Sequence, residues 1–144
     1  MAYFIGTYEN KVDRKGRVSV PSLFRQALAQ AEFQGIVAFP SSRGDTIEAC
    51  GMDMMHQVMA QAETVNLLGK KPLRPAADIF YNLKQLAFDG DGRITLPPAF
   101  REIAGITDQA VFVGVGQLFQ IWSPEGLANR PSSEEDDEET AVMP

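Results

Sequence analysis

The chain has 144 residues, 44% hydrophobic and 22% charged, the balance of an ordinary globular protein long enough for one domain or two small units packed on each other. Its net charge of −6 looks wrong for a nucleic-acid binder, but Glu134, Glu135, Asp136, Asp137, Glu138 and Glu139 form one block, leaving acids and bases balanced over the rest. Cys50 is the only cysteine, which excludes an intrachain disulfide and fits a reducing compartment, and no run approaches the roughly 18 apolar residues of a membrane span.

Met1-Ala2-Tyr3-Phe4-Ile5-Gly6 has neither the basic flank nor the apolar run of a signal peptide, so a soluble, cytoplasmic protein is expected. Between Met1 and Arg25, the cations Lys11, Arg14, Lys15, Arg17 and Arg25 face only Glu9 and Asp13. This local excess counts for more than the total charge, because salt screens charges beyond about 8–10 Å.

Val12 ends a first strand, and Asp13 opens a turn in which its carboxylate can accept from backbone N–H groups two residues on. Gly16 supplies the positive φ such a turn commonly needs. Arg17-Val18-Ser19-Val20 alternates polar and apolar like a half-buried strand. Pro21 suits a helix start, and Leu23, Phe24, Ala27 and Leu28 share one helical face. A hairpin follows, with Ile36–Phe39 going out, Pro40–Asp45 turning and Thr46–Cys50 returning. Met55, Val58, Met59, Ala62 and Val65 make a helical stripe; Pro72 and Pro75 interrupt the chain, and Ala76–Leu86 reads as another short helix.

The device then recurs. Phe88-Asp89-Gly90-Asp91-Gly92-Arg93-Ile94-Thr95-Leu96-Pro97-Pro98-Ala99-Phe100-Arg101 aligns without gaps with Val12–Arg25, keeping Asp, Gly, Arg, Pro, Phe and Arg in order. Phe100, Ile103 and Ala104 form the second helical face, with Gly105 as its stop. Ala110–Val113, Gly114-Val115-Gly116 and Leu118–Trp122 form the second hairpin. After Trp122 the pattern fades, and 129–144 reads as an acidic disordered tail.

The doubled Asp-x-x-Gly-Arg–strand–Pro–helix unit, the opening Phe4-Ile5-Gly6, and Val113-Gly114 leading to Ile121-Trp122 resemble the MraZ family of bacterial transcriptional regulators, built from two SpoVT-AbrB-type modules. The resemblance spans roughly residues 3–127. It implies a mainly β, α+β fold with short helices, in which a first module (7–54) and a second (83–126), joined by a helical linker (55–82), interlock as an intrachain pseudo-dimeric swapped-hairpin β-barrel. It also implies a ring-shaped homo-oligomer, nucleoid association, and sequence-specific binding to tandem repeats of double-stranded DNA upstream of the division and cell-wall gene cluster. The family's DNA-contacting motif arginine maps onto Arg17.

Arg14, Lys15 and Arg17 on an exposed turn suit phosphates and base edges, and a solvated charged turn is the plain alternative. Lys11 is the weaker fourth candidate. In the second copy Gly90-Asp91 stands where the first has Arg14-Lys15, and Asp91 would repel phosphate. Asp13, Gly16, Asp89, Gly92 and Arg93 are read as structural turn residues, Arg93 pairing with Asp89 or Asp91, with DNA contact as its alternative.

Cys50 and His56 lack the orienting third group of a nucleophilic pair and are too few for zinc. Gly114-Val115-Gly116 precedes a strand, unlike a dinucleotide loop. Met52–Met59 suits packing. No enzyme, metal, cofactor, membrane or small-molecule substrate is expected; a ring-shaped protein-interaction scaffold without specific DNA binding is the rival to a regulator. The acidic tail could mimic phosphate and compete for the basic turn.

Overall fold

A computed structural model of the chain describes residues 2–67 and 81–131. The first motif copy runs through β1 (Thr7–Lys11), β2 (Arg17–Ser19), α1 (Ser22–Ala27) and the hairpin of β3 (Gly35–Pro40) and β4 (Ile47–Cys50). Helix α2 (Met52–Leu67) follows. The second copy has β5 (Lys84–Ala87), β6 (Arg93–Thr95), α3 (Pro98–Ala104), β7 (Gln109–Gly114) and β8 (Phe119–Trp122), and a short α4 (Pro124–Ala128) comes last.

The local chemistry accounts for most boundaries. Pro21 and Pro97 stand immediately before α1 and α3 with extended ψ values of 138° and 145°, where a missing N–H costs nothing. Gly105 closes α3 in the left-handed region at φ 66°, as a helix-ending glycine does. Ser123 caps α4 by accepting from the Gly126 N–H at 2.9 Å.

Two expectations change. Of the helix expected over 76–86, residues 81–82 are helical, residues 84–86 belong to β5, and residues 76–80 lie outside the described ones. The edge strand β5 buries only Leu86, so its side chains carry almost no period of two; backbone pairing of Gly35–Ala38 with Lys84–Ala87 decides its conformation. The pattern also continues past Trp122, since Ser123-Pro124-Glu125 is a helix start. The rest of the expected tail, 132–144, lies outside the described residues, as do the side chains of Val58, Ala62 and Val65.

The fold is mainly antiparallel sheet with a few short helices. Six strands run in the order β1-β7-β8-β4-β3-β5, while β2 and β6 form a separate two-stranded ribbon. Pairing crosses between the motif copies. β1 pairs with β7, with Tyr8 opposite Phe112, and β5 pairs with β3, with Leu86 opposite Ile36. In the ribbon, Val18 stands opposite Ile94. A closed barrel is not found among the described residues. The large sheet ends at β1 and β5, and the three-residue strands β2 and β6 pair with each other as a separate sheet, linked toward β1 by the isolated bridge between Val12 and Val18.

The main core lies between one face of the sheet and a cover made of the ribbon, α1 and α3. Ile36, Ala38, Ile47, Ala49, Phe112, Phe119 and Ile121 meet Val18, Val20, Phe24, Leu28, Ile94, Leu96 and Phe100 there. On the other face Val37, Phe39 and Cys50 pack with Met55 and Met59 of α2, so β3 is buried on both sides. Phe119, fully buried, touches three rings, with centroids 4.8 Å from Phe4, 5.0 Å from Phe24 and 6.2 Å from Phe112.

Phe119→Ala opens a cavity in this cluster and is expected to cost about 3–5 kcal/mol. Leu23→Ala, on the exposed side of α1, should stay within about 0.5 kcal/mol. Urea unfolding of both variants checks the contrast; equal costs would mean that the aromatic cluster is not the centre of the core.

Candidate nucleic-acid interface

Each motif turn is closed by its own aspartate. Asp13 Oδ1 accepts from the backbone N–H groups of Lys15 at 2.9 Å and Arg17 at 2.8 Å, and Oδ2 accepts from Arg17 Nε at 2.6 Å. The Gly16 N–H donates to the Asp13 carbonyl at 3.0 Å. The second turn repeats this: Asp89 Oδ1 accepts from the N–H groups of Asp91 and Arg93, both at 2.9 Å, and Oδ2 from Arg93 Nε at 2.9 Å. These donors favour the ionised form. The Arg17 backbone N–H, foremost, holds the Asp13 carboxyl below its ordinary value, and the Arg93 N–H does the same for Asp89.

The ribbon gives the turns a common face. Val18 and Ile94 point into the core at 1% exposure each. By strand alternation Arg17, Ser19, Arg93 and Thr95 therefore share the outer face, with Ser19 and Thr95 exposed and both arginines half-buried. Arg17 stands opposite Thr95 and Arg93 opposite Ser19, so the arginines are diagonal neighbours, the turns lying at opposite ends of the ribbon.

The two ends differ in charge. At the first, Arg14 and Lys15 are exposed beside Arg17, and Asp13 is the acid that pairs with Arg17. At the second, Arg93 reaches Asp89 at 2.9 Å and Asp91 at 3.3 Å. Arg17 spends its Nε on Asp13, which leaves the terminal guanidinium nitrogens for another partner. Lys11 is exposed at the end of β1, opposite Gln109 of β7 and outside the ribbon.

Two arginines that the sequence reading left out stand behind the turns. Arg25 donates from Nε to the Val20 carbonyl at 3.0 Å, and Arg101 to the Leu96 carbonyl at 3.2 Å. Their only sequence signal is their place as the last shared residues of the repeat.

The other candidates resolve into structure. Cys50 is fully buried, and burial pushes its thiol up to about 12, whereas His56 is exposed on α2. No cluster of three metal-binding side chains occurs among the described residues. Gly114 packs its backbone directly on Phe4 and Ile5, and its N–H donates to the Gly6 carbonyl at 2.8 Å, which accounts for that glycine without a phosphate. No helix among the described residues is long and apolar enough to cross a membrane.

Residues 79–140 match the family model described as "MraZ protein, putative antitoxin-like". A protein of Rickettsia akari named transcriptional regulator MraZ is 41% identical over 127 residues, covering 88% of this chain and 85% of the relative. One of the same name from Rhodospirillum rubrum is 44% identical over 131 residues, covering 88% of this chain and 83% of the relative.

The lowered Asp13 carboxyl gives the first turn a pH dependence with a definite sign. Its contribution is complete above the unfolded value of 3.8 and is lost as pH falls through the lower folded value. The backbone amide shifts of Lys15 and Arg17 should therefore titrate together with a midpoint below 3.8, and Asp13→Asn should abolish the titration. A midpoint at or above that value would contradict the hydrogen-bonded turn.

Proposed function

The chain belongs to the MraZ family, and from that membership we propose that it is a transcriptional regulator that binds double-stranded DNA through the outer face of the β2–β6 ribbon. The observation that carries the reading is the cluster of Arg14, Lys15 and Arg17 beside that ribbon, with both lysine and arginine head groups at the surface. A two-stranded ribbon fits the major groove. Arg17 offers terminal nitrogens already oriented by Asp13, so less side-chain freedom is lost on binding. Arg14 and Lys15 supply phosphate charge neutralisation at the same end. Arg93, held by two carboxylates, contributes less.

The reading extends to the arrangement implied by the family resemblance. Segments 7–54 and 83–126 act as two interlocked modules of swapped-hairpin type. The crossed pairing of β1 with β7 and β5 with β3 supports this. Residues 55–82 join them. Several chains form a ring on tandem repeats upstream of the division and cell-wall gene cluster, in the cytoplasm and on the nucleoid. One basic turn per chain binds weakly, and a ring raises affinity by effective concentration.

Arg17→Ala should keep the fold and the oligomer, reduce repeat-DNA affinity by about tenfold or more, and lower the salt slope of binding by about one. Arg93→Ala should lose clearly less. Fluorescence anisotropy on labelled duplex at several salt concentrations reads both quantities. A folded Arg17→Ala that binds as the unsubstituted protein does removes the site assignment. Absence of DNA binding by the unsubstituted protein at physiological salt would favour a protein-interaction scaffold.

A further inference from the structure

Each motif turn needs its glycine for two reasons. Gly16 has φ +84° and Gly92 φ +75°, the left-handed region that costs other residues about 1–2 kcal/mol. The second reason is steric, and it comes from the other motif copy. A Cβ on Gly16 would stand 3.0 Å from Nε of Arg101 and 2.9 Å from the Leu96 carbonyl. A Cβ on Gly92 would stand 2.6 Å from a terminal nitrogen of Arg25. The backbone bonds follow the same crossing: the Leu96 N–H donates to the Gly16 carbonyl at 2.9 Å, and the Val20 N–H to the Gly92 carbonyl at 3.2 Å. Arg101 in turn donates from Nε to the Leu96 carbonyl, and Arg25 to the Val20 carbonyl.

The first turn is thus closed from within by Asp13 and clamped from behind by Gly16, Leu96 and Arg101, two of which lie in the second copy. From this geometry we infer that Arg101 is the positioning residue of the first turn, the one that carries Arg14, Lys15 and Arg17, and that Arg25 positions the second turn. Both arginines are half-buried and hydrogen-bonded to backbone carbonyls. Each guanidinium stands against the opposite glycine where a Cβ would crowd it, with Nε and Cζ within 3.1 Å of that position, while its Nε–H holds the carbonyl of the residue whose N–H donates to the glycine carbonyl. Lysine has no Nε–H of this geometry and no guanidinium to stand against the turn.

The second copy lacks cations at its own turn tip, yet through Arg101 it sets the geometry of the cations in the first. The effect on DNA binding rests on the reading that the first turn meets DNA; the clamp itself does not, and the two are tested apart. Amide hydrogen exchange of the DNA-free, full-length protein is followed in Arg101→Met, Arg101→Lys and Arg25→Met. Arg101→Met and Arg101→Lys should each speed exchange at Lys15, Gly16 and Arg17 by about tenfold while leaving Asp91, Gly92 and Arg93 as they were. Arg25→Met should do the reverse. Exchange altered only in a variant's own copy, altered equally in both turns, or unaltered overturns the inference. Arg101→Lys keeps the stem and the charge, so it reports on the clamp even where Arg101→Met unfolds the chain.

The same variants are then titrated with duplex DNA. Loss of about fivefold or more in affinity for both Arg101 variants, with little change for Arg25→Met, completes the picture. Crossed exchange with unchanged DNA affinity in every variant keeps the clamp and removes the first turn as the DNA contact. Lost affinity in Arg101→Met with undisturbed exchange at Arg17, restored by Arg101→Lys, makes Arg101 a charge contact and overturns its positioning role.

Discussion

The antiparallel pairing of Arg17-Val18-Ser19 with Arg93-Ile94-Thr95 is the constraint on which the other features depend. Two strands of three residues are too short to be stable as an isolated ribbon. They hold because Val18 and Ile94 sit opposite each other with their side chains in the main core. Once that rung is set, the turn that feeds each strand lies at a fixed end of the ribbon, and both motif arginines fall on its outer face. Diagonal neighbours on one face of an antiparallel pair are about 7–8 Å apart, so the spacing of Arg17 and Arg93 follows from register and not from any contact between them. The crossed pairing of β1 with β7 and β5 with β3 belongs to the same arrangement. The first strand of each motif copy finds its partner in the hairpin of the other, and neither copy has a complete sheet alone.

The aspartate that opens each turn has two effects on the arginine that ends it. It makes the arginine part of the fold, since Nε is spent on Oδ2, and it holds the guanidinium plane in one orientation. At the first turn this leaves an ordered cation next to two exposed ones. At the second, Asp91 adds a further bond to the terminal nitrogen at 3.3 Å, so the group that could meet a phosphate already has an anion. Exposed ion pairs are worth little to stability. The difference between the ends is therefore better explained as a difference in what each end presents to solvent than as a difference in how firmly each is built.

Much of this was legible in the chain. The repeat, the two turns, the prolines before α1 and α3 and the strands β3, β4, β7 and β8 all announce themselves through special residues or alternation. What escaped did so for physical reasons. β5 shows one buried side chain, Leu86, and is a strand because β3 lies beside it. Helix α4 is a single capped turn, too short to display a period. The crossing of the strands leaves no mark in a repeat, because two identical units can pair with themselves or with each other. Arg25 and Arg101 look like surface helix residues, and only the folded geometry brings each to the glycine of the other copy.

The internal repeat is itself a record of which positions the shared frame requires. Asp13 and Asp89 close the turns, Gly16 and Gly92 admit the opposite arginines, Arg17 and Arg93 hold Oδ2, Phe24 and Phe100 fill the core, and Arg25 and Arg101 clamp across. Each shared residue has a bond or a packing partner that its counterpart also has. The side chains of Arg14 and Lys15 make no such shared bond among the described residues, and Gly90 and Asp91 stand in their places, all four being exposed. Positions the frame uses have stayed alike, and positions it leaves in solvent have separated in charge. Arg17 belongs to the first group on structural grounds alone, so its occurrence in both copies is no evidence of DNA contact at both. Contact at the first turn is favoured instead by its two unshared cations, Arg14 and Lys15, whose side chains the frame does not use.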